Sequence, residues 1–235
     1  MPKLGEIIVK KIYLPGVDFI VNINPGTIAK TWVVILFLLI LVILLRGRPK
    51  QIPNRGQSLL EMLLSWFDGI LKESLGKDGR NFLPFITTLF IFVLFCNWMS
   101  LIPKVTGPTG DLNLTLGLAI LVFLVAHASA IRKKGLLEYI KGYFRPFWFL
   151  FPSNVFSEIS KVLSHSFRLY GNIFAGGVII SLIPILLGQI NKLIGIPAGI
   201  SLNIGVSAFF GIFIGGIQAF VFAMLAVAYI SVLRN

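Results

Sequence analysis

Five apolar segments dominate the sequence, and two of them are about twice as long as one membrane crossing requires. The segments occupy residues 31–45, 82–102, 113–131, 148–187 and 193–233. The two longest are either hairpins of shorter helices or single long helices that cross at a strong tilt. Neither has a charged turn in its middle, although Pro184 and the Gly215-Gly216 pair could each kink or break a helix. We therefore expect two long, tilted helices.

The composition restricts the class of protein. Hydrophobic residues make up 56% of the 235 residues, charged residues 13%, and the mean hydropathy is +0.90. Soluble domains carry about a quarter charged residues. These values exclude a soluble enzyme, a nucleic-acid-binding domain and a disordered tail. With Cys96 as the single cysteine, an internal disulfide and a cysteine-based metal cluster are also excluded.

Residues 57–77 have a different pattern from the five apolar segments. Their apolar side chains recur at three- and four-residue spacing, and charged residues occupy the other face. This pattern predicts an amphipathic helix at the membrane interface. The alternative is a helix packed on a soluble domain, but no other soluble segment is long enough to receive it. The sequence thus predicts an all-α polytopic membrane protein, a single membrane domain over 1–235, with about five crossing helices and one interfacial helix.

The basic residues between the segments predict the orientation. The loops hold, in chain order, four, seven, one, five, one and one Lys or Arg. Because cytoplasmic loops are rich in Lys and Arg, we expect 46–80 and 132–147 in the cytoplasm of a bacterial cell, across its plasma (inner) membrane. The N-terminal segment 1–30 is then external and the C-terminus cytoplasmic. No small-residue cleavage site follows 31–45, so we interpret it as a retained first span.

Polar residues inside the fourth segment fall on one helical stripe. The members are Glu158, Lys161, His165, Arg168 and Asn172. At 100° per residue they occupy a stripe about 80° wide. Charges inside a membrane are costly, so each one requires a reason. Glu158 and Lys161 are spaced for an ion pair, whereas Arg168 has no acid at helical spacing.

Arg168 is the most informative residue of the chain. A guanidinium stays protonated under ordinary conditions, so it cannot escape the cost of burial by neutralising. No carboxylate lies on another span, since Asp111 belongs to a loop. The spacing favours a carboxylate on a different subunit as its partner. The alternative is an arginine held by backbone carbonyls or reaching an interface.

Three motifs, in order along the chain, carry a resemblance to a known family. They are FRLYGNIFAG at 167–176, PTGDLNLTL at 108–116 and IQAFVF at 217–222. The chain resembles subunit a of the F-type ATP synthase, the ion-translocating stator subunit of its membrane sector.

The resemblance implies roles for particular residues. Arg168 would face the ion-binding carboxylates of a ring of c subunits, between two aqueous half-channels that carry H⁺ or Na⁺. Asn172 and Gln218 would line the outer half-channel; for Gln218, interhelical hydrogen bonding is an equal alternative. The peripheral-stalk b subunits would be further partners. The chain would couple ion flow to ATP synthesis without being catalytic and without a cofactor.

The chain departs from the family at two positions. Other members have Glu or His where Gly177 and Gly211 stand here. The departure predicts a water-filled outer inlet, open to Na⁺ as well as H⁺, in place of a titratable relay. His165 lies one turn to the cytoplasmic side of Arg168, and either serves the inner half-channel or is a hydrogen-bonded packing residue.

Other functions are less consistent with these residues. A self-contained secondary transporter or channel would need its own counter-ion for Arg168 and usually an internal repeat. A purely structural subunit would not need an uncompensated arginine. No nucleotide-binding loop, metal-ligand spacing or nucleophile motif is present. Gly211 and Gly215 have small-residue spacing, which favours close packing against the Arg168 helix, or a smooth face toward a rotating partner.

Overall fold

The computed structural model describes residues 10–13, 20–45, 55–102, 105, 107–144, 147–190 and 192–234. Within them, five helical stretches are long and apolar enough to cross a membrane, which confirms the all-α polytopic fold. A small hairpin precedes the first helix. Its strands β1 (Lys10–Tyr13) and β2 (Ile20–Ile23) pair antiparallel.

Helix α1 spans Pro25–Leu45 and starts six residues before the predicted apolar segment. Its start is fixed locally: the side chain of Asn24 accepts a 3.0 Å hydrogen bond from the Gly26 N–H, and Pro25 is suited to a first helical position. The Thr27 hydroxyl donates to Asp111 Oδ2 over 2.7 Å, which ties this end of α1 to the residue just before Leu112. Most of its apolar side chains are exposed, as a lipid-facing helix requires.

The amphipathic helix is α2, Arg55–Leu75. Part of its apolar face packs on the helical bundle: Phe67 and Leu71 are fully buried, and Trp66 stacks on Phe220 with ring centroids 5.0 Å apart. Other apolar side chains, such as Leu59, stay exposed. The helix therefore lies against the bundle and still presents apolar surface outward.

The core forms where α3 (Leu83–Trp98), α4 (Leu112–Lys134) and α8 (Gly215–Arg234) meet. Their contact faces combine small and branched residues, so the backbones approach closely. The fully buried members on α8 include Ala219, Ala223, Ala226 and Ile230. Asp111 caps α4 by accepting a hydrogen bond from the Asn113 N–H over 2.9 Å.

A short helix, α5 (Leu136–Tyr143), follows α4 after one residue. The chain then forms α6, a helix of 40 residues over Phe151–Ile190. At 1.5 Å per residue α6 is about 60 Å long, twice the hydrocarbon thickness of about 30 Å, so it can only cross at a strong tilt. This excludes the hairpin alternative for the fourth segment.

The last segment is also one long helical stretch. Helix α7 (Lys192–Ala208) continues through a π-helical turn, Phe209–Ile214, into α8. Neither Pro184 nor the Gly215-Gly216 pair breaks a helix; the irregularity is instead the π turn just before Gly215. α6 and α7 pack against each other.

The predicted packing of Gly211 and Gly215 against the Arg168 helix is wrong. A Cβ at Gly211 would lie 2.2 Å from Leu101 Cδ2, and one at Gly215 would lie 3.2 Å from Asn97 Cβ. Gly215 therefore packs against the C-terminal end of α3, and Gly211 packs against the 3₁₀ turn Met99–Leu101 that follows it. On α6 the close approach is made by Gly176, against the ring of Phe210.

Candidate functional site

The five polar residues of the predicted stripe lie on one unbroken helix, α6, and so share a side of it. They differ in exposure. His165 is buried at 4% exposure, Glu158, Lys161 and Asn172 are half-buried, and Arg168 is exposed. The stripe therefore runs along the boundary between the bundle and the outer surface of α6.

Arg168 has no hydrogen-bond or ion-pair partner among the described residues. Its side chain lies in a shallow cavity of about 290 Å³ between α6 and α8. The cavity is lined by hydroxyl groups of α6 and closed on the other side by α8; the lining residues are Ser157, Ser160, Lys161, Ser164, His165, Arg168, Leu225 and Tyr229. The guanidinium is thus a permanent charge at the surface, set in a polar groove.

Glu158 and Lys161 form an ion pair, with Lys161 Nζ 2.6 Å from Glu158 Oε1. The ammonium also lies 5.9 Å from the centroid of the Tyr229 ring on α8. The second carboxylate oxygen, Glu158 Oε2, is buried without a hydrogen-bond partner among the described residues. Because the carboxylate of Glu158 pairs with Lys161, it does not neutralise the positive charge of Arg168.

His165 packs into the bundle through its ring faces. Its centroid lies 3.9 Å from that of Phe222 and 6.0 Å from that of Tyr229. Neither ring nitrogen has a hydrogen-bond partner within the described part of the chain. A cavity of about 10 Å³ adjoins the ring, and His127 also lines it. Most residues that line this cavity are apolar, so within the described part of the chain His165 packs through its ring faces and not through hydrogen bonds.

A larger cavity, of about 340 Å³, lies where α5 meets α6. We call it the vestibule; it shares Ser157 and Lys161 with the groove that leads to Arg168. Its lining includes Tyr139 and Tyr143, whose hydroxyls are 2.6 Å apart, and Asn154, which donates to the Tyr143 carbonyl over 2.8 Å.

The two tyrosines of the vestibule remain protonated. Burial raises the pKa of Tyr139, as does its hydrogen bond with Tyr143, and burial also raises the pKa of Tyr143. Tyr143 lies 3.2 Å from His127 Nε2 on α4. Sequence reasoning missed both tyrosines and Asn154, because an eight-residue helix gives too little periodicity to place them.

Gln218 is buried at 9% exposure, one turn after the start of α8. Its side-chain nitrogen has no partner among the described residues, and within them no hydrogen bond joins it to Asn172. The structure therefore does not show the interhelical hydrogen bond that was the alternative for Gln218.

Two buried hydrogen bonds, which we call the bracket, support this part of α8. Sequence reasoning also missed them. Asn97 Nδ2 donates to the Gly215 carbonyl over 2.9 Å, and Thr109 Oγ1 donates to Asn97 Oδ1 over 2.8 Å. Asn97 and Thr109 are fully buried. The bracket connects α3, the 3₁₀ turn Pro108–Gly110 and the first residue after the π turn.

Gly177 and Gly211, where the resemblance predicts a departure, have different surroundings. Gly177 is exposed, and a Cβ there would meet nothing within 4 Å. Gly211 is buried, and Leu101 fills the space beside it. The predicted water-filled inlet therefore has open space at Gly177 but not at Gly211.

Comparisons with known proteins agree with the motifs. The sequence model of the family described as ATP synthase A chain matches residues 28–231. A protein named ATP synthase subunit a from Moorella thermoacetica is 37% identical over 206 residues, covering 88% of this chain and 89% of the relative. Its counterparts from Desulforamulus reducens and Acidothermus cellulolyticus are each 36% identical, over 212 and 186 residues. These alignments cover 89% and 76% of this chain, and 79% and 65% of the relatives.

Proposed function

The chain belongs to the ATP synthase A chain family, and we propose that it translocates H⁺ or Na⁺ as the stator subunit beside a rotating ring of c subunits. In this proposal Arg168 faces the ion-binding carboxylate of each passing ring subunit. The chain is a multi-pass membrane subunit of the F-type complex and contributes to ATP synthesis by coupling ion flow to rotation, not by catalysis of its own.

The observation that carries the proposal is the exposed, unpaired state of Arg168. An arginine within a membrane-spanning helix normally faces a bundle interior or pairs with an acid. Here it faces outward from α6, and within the described residues no carboxylate bonds to it. A carboxylate presented by a neighbouring membrane protein would satisfy the charge, with the planar fork of the guanidinium suited to both oxygens.

The physical consequence of such an encounter is ion release. A permanent cation stabilises the charged, ion-free form of a carboxylate that approaches it. The same cation opposes the direct passage of H⁺ or Na⁺ in a low-dielectric region, so it separates the two water-accessible sides. Ions then cross only by travelling on the ring, which makes rotation obligatory.

Two half-channels complete the proposal. For the inner one, the vestibule and the hydroxyl-lined groove form a polar route to Arg168, joined through Ser157 and Lys161. Glu158 and His165 lie along this route, the acid as the partner of Lys161 and the histidine as a lining residue of the groove. For the outer one, Asn172 and the unpartnered amide of Gln218 offer hydrogen bonds without charge.

The proposed setting is the plasma membrane of a bacterium, with the C-terminus and the vestibule on the cytoplasmic side. The loop charges support this orientation. The peripheral-stalk b subunits are the proposed static partners, which would hold the chain while the ring turns past α6.

Disulfide crosslinking tests the position of the ring. Ser164 is exposed one turn before Arg168, and Leu39 is also exposed, on the lipid-facing side of α1. Ser164→Cys should crosslink to cysteines placed near the carboxylate on the ring helix, whereas Leu39→Cys should not. Crosslinking from Leu39→Cys alone would contradict the proposed interface.

A further inference from the structure

A patch of basic and apolar side chains lies where α4 ends and α5 begins. Its basic members are Arg132, Lys133 and Lys134 in the last turn of α4, and Lys141 on α5; all four are exposed. Its apolar members are Leu136, Leu137, Ile140 and Phe144, each also exposed. We call these eight residues the α5 patch. The sequence indicated only the charge of this loop, not its apolar half.

The apolar half of the patch faces away from the protein. At 100° per residue its four side chains occupy a stripe about 100° wide on α5. The inward side of α5 carries Tyr139 and Tyr143, which contact His127 on α4. Leu137 is 77% exposed, and although the Phe144 ring stacks on that of Phe151 with centroids 4.7 Å apart, all four side chains of the stripe remain exposed. The apolar face of an amphipathic helix is normally buried, so this stripe requires an apolar environment outside the protein.

The position of α5 along α4 indicates the depth of that environment. Gly135, at φ +82°, reverses the chain between the two helices, a conformation that glycine adopts without strain. The end of α5 then meets His127, about 10 Å back along α4 from Lys134. Leu124 lies one turn before His127 on α4, farther from the basic end of the helix. It is exposed on the surface that must face hydrocarbon. The apolar stripe therefore lies between the basic end of α4 and the hydrocarbon, at headgroup depth.

Neighbouring residues extend the same surface. Phe147, Trp148 and Phe149 are exposed, Trp148 at 80%, and aromatic side chains of this kind concentrate at membrane interfaces. The charge balance is strongly positive: residues 132–147 contain five Lys and Arg and one acid, Glu138. Glu138 lines the vestibule and so lies outside the stripe.

We propose that the α5 patch binds the headgroups of acidic phospholipids. The apolar stripe enters the boundary between headgroups and acyl chains, while the four cations around it attract phosphate and carboxylate groups of the same leaflet. Charge complementarity and the continuity of the stripe with the lipid-facing side of α4 favour a lipid surface over a protein partner. The site would anchor the helix that forms one wall of the vestibule.

A fluorescent depth probe tests the proposal in the assembled complex. Cys96 is buried and is replaced by Ala, so that a nitrobenzoxadiazole label can be attached at Leu137→Cys or, as the matched control, at Glu138→Cys. The complexes are reconstituted in bilayers with nitroxide lipids that are spin-labelled near the headgroup. The label at 137 should be quenched, and the label at 138, on the vestibule side, much less.

The headgroup specificity is tested by the choice of nitroxide lipid. Quenching at 137 should be about twofold stronger with spin-labelled phosphatidylglycerol than with spin-labelled phosphatidylcholine at equal mole fraction. Replacing Lys133, Lys134 and Lys141 by Gln together should remove this preference. Absence of quenching at 137, from a label in water or beneath another protein, would overturn the proposal. Equal quenching by both lipids, or a preference that survives the triple substitution, would also overturn it.

Discussion

The side-chain amide of Asn97 is hydrogen-bonded to the backbone carbonyl of Gly215, over 2.9 Å, in the fully buried contact between α3 and α8. The bond reaches α8 at its first residue, directly after the π turn. It therefore fixes the rotation of the helix that carries Gln218, three residues later. π turns inside α-helices are frequent at functional sites, where they redirect the residues that follow.

Loss of this bond should destabilise the protein. Asn97→Ala leaves the Thr109 hydroxyl buried without a partner, at about 1–3 kcal/mol, and also removes the hydrogen bond to the Gly215 carbonyl. Thr109→Val, of similar shape, leaves only Asn97 Oδ1 unpaired and should cost less. Thermal denaturation of the purified complex should give midpoints in the order wild type, Thr109→Val, Asn97→Ala. A midpoint for Asn97→Ala equal to that of wild type would show that the bracket does not hold α8.

The two glycines at departures from the family should respond differently to an added methyl group. Gly211→Ala should destabilise the chain by about 1–3 kcal/mol, because its Cβ would lie 2.2 Å from Leu101 Cδ2. Gly177→Ala should be nearly neutral, since nothing lies within 4 Å of its Cβ. Shortening the neighbour, Leu101→Ala, should recover part of the loss in the Gly211→Ala background. Denaturation midpoints of these three variants and of the wild type check this; equal effects at 177 and 211 would contradict it.

The orientation is testable by cysteine labelling of intact cells with an impermeant thiol reagent. Lys133→Cys should stay unlabelled until the cells are opened, and Lys104→Cys should be labelled from outside, following the loop charges. Arg48→Cys should behave like position 133. Lys104 and Arg48 lie outside the described residues. Native Cys96 is buried and should give no background. External labelling at position 133 would show that the orientation is inverted.

Local regularity explains what could be predicted from the sequence. The stripe that includes His165 and Arg168 depends only on the periodicity of one unbroken helix, so its members could be placed together in advance. The length of the apolar segments likewise indicated α6. The same periodicity identified α2 as a helix, although not which of its apolar side chains, such as Phe67, enter the core.

The remaining features depend on contacts that periodicity does not encode. Asn97 and Gly215 are 118 residues apart, and no local pattern links an amide on one helix to a carbonyl on another. A glycine has no side chain to indicate its neighbour, so the contact of Gly211 with Leu101 could not be foreseen. Helix α5 is too short for its outward stripe to stand out from the basic loop around it.

The most direct test of the account is ion-driven ATP synthesis by complexes that carry Arg168 variants. Mutant and wild-type complexes are reconstituted into vesicles, and synthesis is measured under an imposed ion gradient, with Arg80→Ala as a charge-matched control at an exposed site. Arg168→Ala should still assemble, because removal of an unpaired charge relieves a desolvation cost. It should abolish synthesis and allow passive ion exchange across the vesicle membrane. Arg168→Lys should restore little synthesis, since an ammonium is more strongly hydrated and lacks the planar fork. Synthesis by the Arg168→Ala complex at the wild-type rate would contradict the central claim.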